Sequence, residues 1–212
     1  MNRPGADRAR ALALTPVSPS VLARLDRYVA LLLEWQNRIN LIAPSTVSEV
    51  WTRHVADSLQ LLDLAPDAKC WLDFGSGGGF PGLAIACALA DRPGAQVHLV
   101  ESNNKKAAFL REAARVTGAP VTVHAVRIED FGESFSHPVD VVSARALAPL
   151  EQLCQQAAPF VDRGAVGLFL KGQDVDAELT QAAKYWRITA EKAASRTSPD
   201  GQIVIVRGLE RR

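Results

Sequence analysis

The sequence predicts an α/β fold: a mostly parallel sheet flanked by helices and preceded by an N-terminal helical cap. Three observations predict it. The apolar run Cys70 to Leu72 leads into a dense glycine loop, Gly75-Ser76-Gly77-Gly78-Gly79-Phe80-Pro81-Gly82, and then into the apolar stretch Leu83 to Ala90. That is the pattern of a buried strand, a tight turn and a buried helix. Downstream, short apolar runs alternate with helix-period stretches, as stacked strand–helix units demand. Upstream, the patterning has helical period only.

Residues 1–17 hold Arg3, Arg8 and Arg10 with Pro4 and Pro16. They are expected to form a flexible basic tail, either simply solvated or an arm for RNA. Ser18-Pro19 is a helix start, an N-cap followed by proline at the first helical position. Val21, Leu22, Leu25, Tyr28, Val29, Leu32 and Trp35 then recur at helical spacing, and the helix should end near Asn40. Thr46-Val47-Ser48-Glu49 reads as a capping box. It should open a second helix with Val47, Val50, Trp51, Val55, Leu59 and Leu62 inward. These helices make a cap over residues 18–65, joined through Pro66-Asp67-Ala68-Lys69 to a domain over residues 66–212. Strands are predicted near 70–74, 96–101, 120–126, 138–143, 165–170 and 202–207, with a further one near 186–192. Helices are predicted near 80–91, 104–117, 149–160 and 174–185. Ligands of such sheets bind outside the carboxyl ends of the strands. The residues there are Asp73 to Gly79, Glu101-Ser102, Arg127-Ile128-Glu129, Ser143-Ala144-Arg145 and Lys171-Gly172.

Two readings of the glycine loop compete. Gly77, Gly79 and Gly82 satisfy G-x-G-x-x-G, which alone is weak evidence for a dinucleotide. From Asp73 the loop reads Asp-x-Gly-x-Gly-x-Gly and resembles the first motif of S-adenosylmethionine (SAM) methyltransferases, which implies a Rossmann-like sheet of that type, mostly parallel with an antiparallel last strand. A carboxylate at the strand end suits a ligand carrying a sulfonium and an ammonium, and would repel a pyrophosphate. Glu101 ends the second strand in an acid that either cofactor could use on its ribose. Asp73 therefore favours SAM.

Composition narrows the class. The chain has 212 residues, is 48% hydrophobic and carries a net charge of +1. That suffices for one well-cored domain with a small appendage, and no global field advertises nucleic acid. Cys70, Cys87 and Cys154 lie far apart in apolar contexts, without Cys-x-x-Cys or zinc spacing. They read as reduced thiols of a cytoplasmic protein without a metal site. Neither a membrane span nor a secretory signal is apparent, and a monomer is expected.

Further motifs sharpen the assignment. The cap carries Trp35-Gln36-Asn37-Arg38-Ile39-Asn40-Leu41 and Arg53-His54-Val55-Ala56-Asp57-Ser58-Leu59. The cofactor half carries Asp73 to Gly82, Arg127-Ile128-Glu129-Asp130, Ser143-Ala144-Arg145-Ala146 and Leu170-Lys171-Gly172. Together these resemble the 16S ribosomal RNA guanine-N7 methyltransferases, also called glucose-inhibited division protein B, over most of the chain from Trp35 to Lys171. The resemblance implies SAM as cofactor and a guanine of small-subunit rRNA as target. It also implies cofactor contacts at Gly75, Phe80, Ile128, Glu129 and Arg145. The loop reading adds Asp73, Gly77, Gly79 and Glu101. One departure is Asp200-Gly201-Gln202-Ile203, where the family often has a basic residue before its last strand.

The remaining polar residues have two readings each. Arg145 and Lys171, at strand ends, are candidates to position substrate; otherwise Arg145 forms a salt bridge to Asp140 or Glu129, and Lys171 snorkels to solvent. Arg53 and His54 are candidates on the cap, in helical pairs Arg53–Asp57 and His54–Ser58. Lys105, Lys106, Arg111 and Arg115 share one predicted helix and either face solvent or extend an RNA footprint. Guanine N7 has an in-plane lone pair and no proton, so methylation there asks for no general base. The sequence agrees by omission: the stretch after the fourth strand is Ser143-Ala144-Arg145-Ala146, not an Asn/Asp-Pro-Pro-aromatic motif, and no Pro-Cys nucleophile occurs. A SAM methyltransferase for a small molecule or protein, and a SAM-binding module without catalysis, remain the competing readings.

Overall fold

The computed structural model describes residues 4–212. A seven-stranded sheet has the order β3-β2-β1-β4-β5-β7-β6. Its strands are β1 (Cys70–Phe74), β2 (Gln96–Val100), β3 (Val121–His124), β4 (Val141–Arg145), β5 (Val166–Lys171), β6 (Trp186–Ala194) and β7 (Gln202–Arg211). β1 to β5 pair in parallel, while β7 runs antiparallel to both β5 and β6. The order reverses between β1 and β4, so the switch point of the sheet lies at the end of β1, where the glycine loop begins.

Alternation along β1 explains the two-layer core. Trp71 faces one side and Leu72 the other, and each joins a different hydrophobic cluster. The Leu72 side is filled by Phe74, Phe160 and Phe169 under α6 (Ile128–Ser134) and α7 (Leu150–Val161). The Trp71 side packs α4 (Gly82–Leu89) and α5 (Asn104–Thr117), and continues without a break into the cap. Helix α8 (Val175–Ala182) lies against α7. Cys87 and Cys154 are buried and unpaired, and burial pushes both thiols up to about 12.

Helix α2 (Pro19–Gln36) starts as the sequence predicts. Ser18 accepts from the Val21 N–H at 3.3 Å, Pro19 occupies the first turn, and Val21, Leu25, Tyr28, Val29 and Leu32 are buried. It ends four residues before Asn40, because the Gln36 side chain turns the chain. Gln36 Oε1 accepts from the N–H groups of Leu41 and Ile42, and Nε2 donates to the Ile42 carbonyl.

Two expectations for the cap need correction. The segment predicted as a second regular helix is composite: a 3₁₀ turn (Pro44–Glu49), a π-helical turn (Trp51–Ala56), the short α3 (Asp57–Leu59) and a second 3₁₀ turn (Gln60–Leu64). Thr46 does not cap it; its hydroxyl donates to the Ala43 carbonyl. Wider π turns recur at functional sites, and this one carries Arg53 and His54. The expected flexible tail is instead helical from Pro4 to Leu14, forming α1. Buried Asp7 accepts from the backbone N–H groups of Trp51 and Thr52 at 2.9 and 3.3 Å, and Arg8 is paired with Asp26. Arg8 thus serves packing, which three arginines in isolation did not signal, while Arg10 is exposed and Arg3 lies outside the described residues. Asp7→Ala leaves two backbone donors of the π turn without their acceptor and should cost about 2–3 kcal/mol in urea unfolding.

Candidate active site

The glycine loop is held from below and from the side. Asp73 is fully buried, and its Oδ1 accepts from the Ser143 hydroxyl at 2.8 Å, across the β1–β4 pairing. Burial pushes the Asp73 carboxyl up to about 6, with Ser143 acting in the opposite sense. A Cβ on Gly82 would sit 2.4 Å from Leu99 and 2.7 Å from Asp73, so only glycine lets α4 seat this closely on the sheet. From the side, the Tyr28 hydroxyl donates to the Gly78 carbonyl. Gly79, at φ +93°, could carry no side chain beside that ring: a Cβ would lie 2.6 Å from the hydroxyl oxygen.

Two clefts flank the end of β4. The first, of about 360 Å³, gathers Gly75, Gly77, Glu101, Ile128 and Glu129, five residues nominated from sequence. Glu101 shapes its floor: the carboxylate accepts from the Gly77 N–H at 2.9 Å and the Asn103 N–H at 2.8 Å. Sequence reasoning did not single out Val126, Leu147, Gln152 and Gln156, which complete the wall. Val126 and Leu147 are 40% and 36% exposed, among only four large apolar side chains so exposed in the described residues. Leu147 lies across Gly75, where any Cβ would come within 2.5 Å of its methyl. Asp73, Gly79 and Phe80 are not on this wall. Asp73 faces the same side as Trp71, beneath the loop, so the carboxylate expected to meet the ligand supports the cradle instead. Lys106, expected to face solvent or RNA, lies on the wall, while Arg115 is paired with Glu112.

The second cleft, of about 340 Å³, brings together Arg53, His54, Asp57, Arg145 and Lys171 with Thr46 and the β6–β7 hairpin loop from Ser195 to Gln202. Arg145 lines this cleft and not the first. Its guanidinium donates to the Arg53 carbonyl at 2.9 Å and meets His54 Nδ1 at 2.5 Å. It also lies 5.4 Å from the Phe80 ring centroid, and Phe80 packs in tilted contact with His54 and Tyr28. A guanidinium only donates, so His54 Nδ1 accepts. The ring proton therefore sits on Nε2, which faces Thr46 Oγ1 at 2.7 Å. Burial, then Arg145 and Arg53, lower His54 to about 3, so the ring is neutral.

The predicted pairings on the cap are replaced. Asp57 does not pair with Arg53. It accepts from Gln60 and, across the chain, from Thr197 at 2.6 Å and Ser195 at 3.3 Å, with Arg145 3.8 Å away. Ser58 donates to the His54 carbonyl rather than to the ring. Neither Asp140 nor Glu129 is the partner of Arg145: Asp140 accepts from the N–H groups of Lys69 and Cys70, and Glu129 from Gln156. Lys171 is drawn inward, its amine donating to the Ala148 carbonyl at 3.0 Å and pairing with Glu178 at 2.6 Å. Ala146 belongs to both clefts and has φ +50°, a left-handed conformation that is unusual for alanine.

The family model for GidB, rRNA small subunit methyltransferase G, matches residues 21–204. The chain belongs to this family. The ribosomal RNA small subunit methyltransferase G of Bradyrhizobium sp. (strain BTAi1 / ATCC BAA-1182) is 65% identical over 206 residues, covering 97% of this chain and 93% of that protein. Among solved structures, cofactor-bound Rv0187 from MTB superposes with a TM-score of 0.60 at 20% identity, covering 97% of each chain. An O-methyltransferase from Bacillus cereus in complex with SAH gives 0.58 at 15% identity, over 95% of this chain and 96% of that one. At such identities the two structures testify to the fold: a mixed sheet, mostly parallel, with helices on both faces. No described helix is long and apolar enough to cross a membrane.

The site's own contacts predict two outcomes. Because the folded value of His54 lies below its ordinary 6.5, its contribution to stability is fully present above pH 6.5 and is lost as pH falls toward 3. Between pH 6.5 and 5 the loss should be about 2 kcal/mol. The difference in urea-unfolding free energy between wild type and His54→Asn, measured at pH 7 and pH 5, should show it. Lys171→Ala leaves the Glu178 carboxylate with only the Leu150 N–H, which donates to it at 2.6 Å, and should destabilise the fold by about 1–2 kcal/mol. It should leave SAM affinity, read by calorimetry, within about threefold.

Proposed function

We propose that this protein methylates guanine N7 in 16S ribosomal RNA, with SAM as methyl donor bound in the first cleft and the target guanine in the second. The observation that carries the reading is the shared wall at Ala146, in a chain of the small-subunit rRNA methyltransferase family. Methyl transfer requires the two ligands to meet, and Ala146 is where the clefts adjoin.

The residues of the first cleft fit SAM. Backbone at Gly75 and Gly77 allows close approach, the Glu101 carboxylate can accept from ribose hydroxyls, and Val126, Ile128 and Leu147 offer apolar faces to a purine. When bound, this cofactor supplies an electrophilic methyl group on a sulfonium. The protein's part is alignment and exclusion of water. Guanine N7 needs no base, and the neutral His54 between Arg145 and Thr46 is a positioning residue. Arg145 keeps guanidinium donors beyond the two used on Arg53 and His54. A donor to guanine O6 would hold the base by its edge and leave the N7 lone pair free. Action on the ribosomal subunit places the protein in the cytoplasm, and the cap with the β6–β7 hairpin forms the face that meets rRNA.

Sequencing of 16S rRNA from cells with and without the gene should show one 7-methylguanosine that depends on it; its persistence without the gene would remove the reading. Purified Arg145→Ala should bind SAM within about threefold of wild type, yet lose about 100-fold in kcat/KM on small-subunit rRNA. Equal losses of cofactor binding and activity would return Arg145 to the cofactor site, as the family resemblance implies.

A further inference from the structure

Gln156 is a polar residue of the first cleft. It projects from α7 toward the first turn of α6, where its Nε2 donates to Glu129 Oε1 at 2.9 Å. A carboxylate only accepts, so Glu129 fixes which way round the amide sits. The oxygen is then left over. Gln156 Oε1 is buried and has no hydrogen-bond partner among the described residues. Buried acceptors in native proteins are nearly always satisfied, and an oxygen left over on a residue that lines a ligand cleft calls for a donor that arrives with the ligand. The surroundings narrow which donor. At the glycine-loop end of the cleft, Glu101 is the acceptor for hydroxyl groups. At the α6–α7 end, Gln156 stands beside Ile128 and Glu129, with the exposed apolar side chains of Val126 and Leu147 completing the wall. That environment suits a flat, weakly polar ring with one exocyclic donor.

We propose that Gln156 is a specificity-determining residue of the cofactor site, accepting a hydrogen bond from the 6-amino group of adenine. Glu129 acts through it, by preventing the amide from turning its nitrogen toward the ligand. A 6-oxo purine would then place a carbonyl oxygen against a carbonyl oxygen. The inference rests on the reading that the first cleft holds SAM.

Calorimetry with S-adenosylhomocysteine and S-inosylhomocysteine, in which the 6-amino group is replaced by oxygen, tests it on wild type and Gln156→Leu. Wild type should prefer the adenosyl ligand at least 10-fold. Gln156→Leu should reduce the preference to below about threefold, chiefly by weakening the adenosyl ligand; Gln156→Met serves if the leucine variant fails to fold. A full preference retained in the variant would overturn the proposal and move recognition to Glu129 or backbone. So would equal weakening of both ligands, the mark of a residue that only shapes the cleft. Binding of both ligands without preference by wild type overturns this inference alone; failure of wild type to bind either overturns the cofactor reading with it.

Discussion

The site depends first on the contact between Tyr28 and the glycine loop. A fully buried phenol on the cap donates to the Gly78 carbonyl, and the loop accommodates it only because Gly79 has no side chain. Gly78 is also pressed against the Leu41 carbonyl, where a Cβ would sit at 3.0 Å. The cap is therefore fastened to the backbone of the cradle itself. α2 and the helix that follows the loop share one continuous core. A cap and a catalytic domain with separate cores would not have this coupling.

Three carboxylates divide the work around that contact. Asp73, sealed under the loop, ties β1 to β4 through Ser143. Glu101 holds the loop from the ligand side by its hydrogen bonds to Gly77 and Asn103. Asp57 reaches away from the sheet and ties the cap to the β6–β7 hairpin through Thr197 and Ser195. The hairpin is thereby brought over the second cleft, supplying a wall that no strand-end residue could. Phe80 links the halves, its ring packed among Tyr28, His54 and Arg145. A neutral imidazole suits this place, since a second cation beside a largely buried guanidinium would be repelled.

The sequence by itself determined the strand–loop–helix core, the strand–helix alternation of a parallel sheet, α2 with its start at Ser18, and five residues of the first cleft. Each is written in local signals: apolar period, glycine spacing, a cap, an acid at a strand end. Family resemblance added the antiparallel last strand and the association of Arg53, His54, Arg145 and Lys171, which the fold gathers in one cleft. Only the tertiary structure decided what their side chains do. Asp73 points beneath the loop because alternation along β1 puts it on the Trp71 side. Lys171 is spent on Glu178 because α8 returns to the end of β5. The π turn, the docked α1 and the hairpin wall rest on contacts between residues more than 40 apart in sequence, such as Asp7 with Trp51 and Asp57 with Thr197. No local pattern encodes such contacts. Gln156 looks like any polar residue on an amphipathic helix until Glu129 fixes its amide and the cleft buries its oxygen.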